Sequence, residues 1–178
     1  MKLFVATDVH GSAYFAERIV DEFKRSNCDL LILLGDVYNH GPRNPFPKDY
    51  APMKVAEAFN EVASKLVAVK GNCDSEVDQM ISEFPFVQQV IIPFGNHRMY
   101  FTHGHVYNKD NLPSLTAGDV LFYGHFHKNE ITEVDGVTCV NVSSASLPKD
   151  ESAYCIVDGA GITLFGFDGK VILRKKFE

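Results

Sequence analysis

The stretch "LFVATDVHG", Leu3 to Gly11, decides how this chain is read. Leu3 to Ala6 suit a strand buried on both faces, and the run then delivers Asp8 and His10 directly before a glycine. The same event recurs along the chain. "DLLILLG" ends in Gly35-Asp36, and "LVAVKG" leads into Gly71-Asn72-Cys73-Asp74. "RMYFTHG" runs into His103-Gly104-His105, and "VLFYG" into His125 and His127. Each apolar run thus places Asp, Asn or His past its C-terminal end, where ligands bind in α/β sheets. Glycine at these points lets the backbone turn sharply and come close to a neighbour.

Between these runs the first part of the chain has helical spacing. Phe15, Ile19, Val20 and Phe23 fall on one face of a helix opened by Ser12 as N-cap. A helix is predicted near Met53–Lys65, after the proline-rich loop "NHGPRNPFPKDYAP", and a short one within "SEVDQMISEF". The first ~85 residues therefore read β-α-β-α-β-α, with right-handed crossovers between parallel strands. The rest reads as short strands, among them "QQVIIPF", "EITEV", "VTCVNV", "AYCIVD", "ITLFGF" and "KVILRKKF". Gly95-Asn96, Asp135-Gly136 and Asp168-Gly169 mark hairpin turns. The string "GNH" at Gly95–His97 imitates the third motif but falls in such a turn. One domain over residues 1–178, with helices outside two packed sheets, is the simplest architecture.

Composition narrows the partners. The chain has 178 residues, 46% hydrophobic and 22% charged, and its 23 acids against 17 bases give a net charge of −6. That balance argues against a broad nucleic-acid or anionic-membrane footprint. No apolar run approaches the ~20 residues of a membrane span. The early acid and short apolar start argue against a signal peptide, so a cytoplasmic protein is expected. Cys28, Cys73, Cys139 and Cys155 are widely spaced, which points to reduced thiols rather than a thiolate zinc site.

A lone Asp after a strand is usually a cap or turn residue, and a lone surface His means little. Taken jointly, the strand ends supply the O and N donors that suit Mn²⁺, Fe²⁺ or Zn²⁺. There are too many donors for one tetrahedral ion, and a carboxylate can bridge two.

The ordered motifs D-V-H, G-D, G-N-C-D, H-G-H and G-H-F-H, from Asp8 to His127, resemble the calcineurin-like metallophosphoesterases. The resemblance implies a four-layer α/β/β/α sandwich of two mixed sheets flanked by helices, the metallo-dependent phosphatase-like fold. It implies one divalent ion on Asp8, His10 and His127, and a second on Asn72, His103 and His125. Asp36 would bridge both. Mn²⁺ is the leading candidate, with Ni²⁺, Co²⁺, Fe²⁺ and Zn²⁺ as alternatives. Asp36, Asn72 and His103 are the residues assigned to catalysis. A hydroxide shared by ions roughly 3.5–4 Å apart would attack a phosphodiester in line. Two such ions with two aspartates and that hydroxide leave one net positive charge, which matches a diester monoanion.

Many family members carry His where this chain has Cys73. A thiol is a poor stand-in for an imidazolium, which weakens the expectation for poor leaving groups. Cys73 is read as a structural thiol beside the site and a candidate substrate contact, with a soft-ligand or redox role as the alternative. Asn39, His40 and Arg43 in the loop after Asp36 are candidate substrate contacts, Arg43 as a fork on phosphate. Asp74 and His105 are candidates for orienting the ligands. The expected substrate is a small phosphodiester, with self-association through exposed strand edges as a further expectation. Rival readings are a nuclease or phosphomonoesterase on the same site, or a non-catalytic protein scaffold like the family's retromer subunit.

Overall fold

The structure is a computed structural model that describes residues 1–177. Strand β1 (Leu3–Ala6) leads to helix α1 (Ala13–Ser26), then β2 (Leu30–Leu33), helix α2 (Pro52–Asn60), β3 (Leu66–Val69) and β4 (Phe86–Val87). Strands β5 (Val90–Phe94), β6 (His97–Phe101), β7 (Val120–Tyr123), β8 (Glu130–Val134) and β9 (Val137–Asn141) follow. Strands β10 (Ala153–Asp158), β11 (Gly161–Gly166) and β12 (Val171–Lys176) complete the chain's regular structure.

Both sheets are mixed. The first has the order β12-β11-β10-β1-β2-β3-β4. Its β1-β2-β3-β4 half is parallel, and β10 to β12 add antiparallel on the other side of β1. The second has the order β5-β6-β7-β9-β8, with β6, β7 and β9 parallel and the edge strands antiparallel.

The period of two along each strand explains the layers. Leu3, Val5 and Ile32 point between the sheets, against Phe101, Val120, Phe122 and Val140. Phe4, Leu31 and Leu33 point the other way, onto Ile19, Val20 and Phe23 of α1 and Val55 and Phe59 of α2. Ser12 caps α1 through a 3.3 Å bond from the Phe15 amide, and Asn27 ends it in a left-handed turn. The hairpins fall at Gly95-Asn96, Asp135-Gly136 and Asp168-Gly169, as the turn residues imply.

The sandwich is the expected one, with local differences. The outer face of the second sheet is covered by Tyr107, Leu112, Leu115 and Phe126, from segments without helix. Pro113, Gly118 and the Asn108–Asn111 turn interrupt any helical run there. The helix predicted near Met53–Lys65 divides into α2 and a 3-10 turn at Ala63–Lys65. The one predicted within Ser75–Phe84 is a 3-10 helix, Glu76–Met80, closed by a Ser75–Asp78 capping box. "QQVIIPF" does not begin a strand at its glutamines. Phe86–Val87 finish the first sheet, and the chain crosses to the second before Val90.

Candidate metal centre

The C-terminal ends of β1, β2, β3, β6 and β7 meet along one rim of the sandwich. Glycines make the meeting possible. A Cβ on Gly124 would stand 2.2 Å from Thr7 Oγ1 and 2.5 Å from Asp8 Oδ2. One on Gly71 would stand 2.2 Å from Asp36 Oδ1. Only a residue without a side chain fits at either position.

All seven sequence-predicted ligands converge here. His127 Nε2 and His10 Nε2 lie 3.2 and 3.4 Å from Asp8 Oδ1, and 3.3 Å from each other. Asp36 Oδ2 lies 3.9 Å from His10 Nε2 and 3.5 Å from His103 Nε2. His103 Nε2 is 3.0 Å from Asn72 Oδ1 and 3.3 Å from His125 Nδ1. Asp36 is thus the carboxylate that faces both halves of the group.

The donor set fits divalent cations. Donors held about 2.1–2.2 Å from one ion stand about 3.0–3.5 Å apart at tetrahedral or octahedral angles, which is the spacing of these pairs apart from the 3.9 Å between Asp36 and His10. Asp8 Oδ1 is fully buried and has no hydrogen-bond partner, a costly condition unless a cation meets it. Three imidazoles are turned for ligation. His10, His103 and His127 direct Nδ1 at the carbonyls of Asn39, Leu34 and Leu147, at 2.8, 2.7 and 2.6 Å. Donation from Nδ1–H fixes the tautomer that leaves Nε2 free for an ion.

Backbone conformation is also unusual. Asp8, His10, Asp36, His125 and His127 all have φ between 51° and 66°. The left-handed region costs an L residue about 1–2 kcal/mol, and such strain collects where side chains must be aimed.

The electrostatics are those of opposed buried charges. Burial works against the Asp8 carboxylate, yet His10 and His127 hold it well below its usual range. Asp36 is likewise opposed by burial and lowered by His103. Burial disfavours a charged His103, but Asp36 and Asp8 bring it up to about 9, and His10 is raised for the same reason. His125 is lowered by burial and by neighbouring His103.

Surrounding residues brace this arrangement. Asp74 is buried and accepts the amides of Asp36 and Gly71 at 2.7 Å and that of Val37 at 2.8 Å. It ties the second strand end to the third. Asp8 Oδ2 accepts from Thr7 Oγ1 and the His125 amide, at 2.6 and 3.0 Å. The Asp8 carbonyl accepts from Ser144 and Ser146, at 2.7 and 3.1 Å.

The centre forms the floor of a cavity of about 660 Å³. Of the candidate substrate contacts, Asn39, Arg43 and Cys73 line it. His40 is not among the lining residues; its ring packs on Phe46 and Tyr50, with centroids 4.4 and 5.3 Å away. Burial and the Asp36 carboxylate push the Cys73 thiol up to about 12, so it is a neutral thiol. His105 is exposed, its ring 5.4 Å from that of His103, and it makes no side-chain hydrogen bond among the described residues. Phe126 and Lys149 line the cavity and were not singled out from the sequence. Nor was the Ser144–Lys149 brace, although three serines in "SSASLPKD" are a recognisable source of backbone hydrogen bonds.

Known proteins resemble this chain in sequence and fold. A phosphodiesterase of Escherichia coli strain K12, YfcE, is 43% identical over 180 residues, covering 98% of this chain and 97% of its own. The solved structure of E. coli YfcE, described as a phosphoesterase, matches with a TM-score of 0.96 at 41% identity over 100% of both chains. Zinc-bound Vps29 from Entamoeba histolytica matches with a TM-score of 0.61 at 18% identity over 100% of both chains, a likeness of fold. Residues 1–160 match the calcineurin-like phosphoesterase superfamily domain, and the chain belongs to that family.

Proposed function

We propose that the chain, read as one metallophosphoesterase domain over residues 1–178, is a phosphodiesterase dependent on two divalent cations, Mn²⁺ first among them. The observation that carries this reading is the meeting of seven side chains with O and N donors, His10 and His127 at the buried Asp8 Oδ1, and Asn72 and His125 at His103, with Asp36 between. Asp8, His10 and His127 would hold one cation, and Asn72, His103 and His125 the other, with Asp36 between them. When bound, such a pair supplies Lewis acidity and lowers the pKa of water toward neutrality.

The chain's own residues prepare the reaction. Asp36 is held rigid, its amide bonded to Asp74 and its Oδ1 accepting the Cys73 amide at 2.8 Å. Asn72 contributes a neutral oxygen, which keeps the site positive enough for a phosphodiester monoanion. The cavity, about 660 Å³, has room for a small diester. The four free cysteines support a reducing, cytoplasmic setting, and no described helix is long and apolar enough to cross a membrane. Self-association through a sheet edge belongs to the same proposal. A protein scaffold would not need the ligands, and all seven are present.

The test is a screen of purified protein with Mn²⁺, Ni²⁺, Co²⁺ and Zn²⁺ on bis(p-nitrophenyl) phosphate, p-nitrophenyl phosphate, DNA and RNA. The diester is expected to be turned over fastest with Mn²⁺, and Asp36→Asn to lose at least about 10³-fold in kcat. Cleavage confined to nucleic acid or to the monoester would replace this reading. Full activity in Asp36→Asn would remove the bridging role.

A further inference from the structure

The mouth of the cavity carries charge opposite to that of the chain. The protein has a net charge of −6, yet among the described residues Asp36 is the only acid lining this cavity, and it faces the candidate metal ligands. Above it stand two cations, Arg43 from the loop after β2 and Lys149 from the loop after β9. Both are exposed, so they sit at the mouth, away from the buried donors on the floor. Among the described residues, neither has a carboxylate within ion-pair distance, so each is free to meet an anion.

The backbone beneath both cations is anchored. The Lys149 amide donates to the His127 carbonyl at 2.9 Å, so this lysine keeps a fixed place relative to a ligand. The Arg43 loop is folded by Gly41 N–H to Asn39 Oδ1 at 2.8 Å and by Asn44 Nδ2 to the His40 carbonyl at 2.8 Å. The Asn39 carbonyl in turn accepts from His10.

A phosphodiester brings one negative charge to the reaction centre, and paired cations on the floor answer it. Arg43 and Lys149 are left over. We propose that they form a phosphate site at the mouth, and that the natural substrate is a phosphodiester carrying a second phosphate on one of its alcohol groups. A terminal phosphate bears about −1.5 to −2 charges at neutral pH, which two cations neutralise, one of them by a bidentate fork. Lys149 and Arg43 are substrate-binding residues here. They hold the far end of the substrate and touch none of the reacting atoms. This inference rests on the phosphodiesterase reading above.

A matched pair of esters tests it with the Mn²⁺-loaded protein: p-nitrophenyl thymidine 5′-phosphate, and the same ester with a 3′-phosphate. The 3′-phosphorylated ester should have kcat/KM about tenfold higher, the gain lying in KM, as expected of two exposed charge-assisted contacts. Lys149→Gln and Arg43→Gln should each bring that ratio toward one, Lys149→Arg should keep it, and added salt should shrink it. A wild-type ratio of one or less overturns the proposal, as does a ratio unchanged in both Gln variants. If neither ester turns over, the phosphodiesterase reading fails separately. The phosphate site is then decided by equilibrium binding of thymidine 3′,5′-bisphosphate against thymidine 5′-phosphate. Equal affinities reject the site, and a preference lost in the Gln variants supports it.

Discussion

At the scale of single residues, the centre depends on side chains that never touch substrate. Asp74 receives three backbone amides from two different strand ends, while burial pushes its carboxyl up to about 6. Truncation in Asp74→Ala leaves the amides of Asp36, Val37 and Gly71 buried without partners. Each such loss costs about 1–3 kcal/mol, so the variant should be destabilised by at least about 3 kcal/mol. Urea denaturation would register this as a fall in midpoint at unchanged slope; a midpoint within error of wild type would show that water or a neighbour replaces the carboxylate. The donors at the strand ends were legible in the sequence because each follows an apolar strand, whereas the choice of seven among them came from the resemblance to the family. Asp74 was recognised as a candidate for orienting ligands, but its three amides were not. Backbone amides carry no sequence signal, and their meeting depends on how two distant turns approach. Lys149 escaped for a related reason. It lies in a loop between sheets, and only the fold returns that loop to His127.

At the scale of elements, the strand-to-turn unit is the repeating device. An apolar strand buried on both faces gives a stiff support, and after β1, β2 and β7 the turn aims the side chain through left-handed backbone. Strand β7 is the clearest case, since Gly124 must pass Thr7 and Asp8 at close range to place His125 and His127. Gly124→Ala would drive a methyl into Thr7 Oγ1 and Asp8 Oδ2. The expected outcome is loss of bound Mn²⁺ by elemental analysis and a melting temperature lower by several degrees, corresponding to about 1–3 kcal/mol of overpacking. Wild-type metal content in this variant would mean that the turn has slack the structure does not suggest. These units were readable in advance, as were the three hairpins, because alternation and glycine-bearing turns are local signals. The covering of the second sheet was not. Tyr107, Leu112 and Leu115 reach their places through turns rather than through any period, so their burial follows from the sheet beneath them.

At the scale of the whole molecule, charge on the rim links metal, pH and stability. Without ions, His103 titrates at about 9 and His10 is also raised, above the usual 6.5. Their contribution to stability is complete below pH 6.5 and is lost as pH rises through about 9. Asp8 and Asp36 are lowered, so theirs is present above 3.8 and is lost as pH falls further. The ion-free protein should therefore be most stable between these limits. Cations need the neutral imidazole, so they compete with the His103 and His10 protons. Melting curves with Mn²⁺ and with EDTA, taken from pH 6 to about 9, should show a metal-induced gain that grows with pH, and calorimetry near pH 7 should detect proton release. A gain that is flat across this range would contradict the assignment of those protons.

The serine brace has a consequence for how the protein is made. The carbonyl of Asp8 waits for Ser144 and Ser146, and the ring of His127 waits for Leu147. A nascent chain on the ribosome exposes Asp8 and His10 long before those partners emerge. Most of the protein must be translated before this coordination pocket can close. A cation site that needs these partners would be completed only when synthesis is nearly finished.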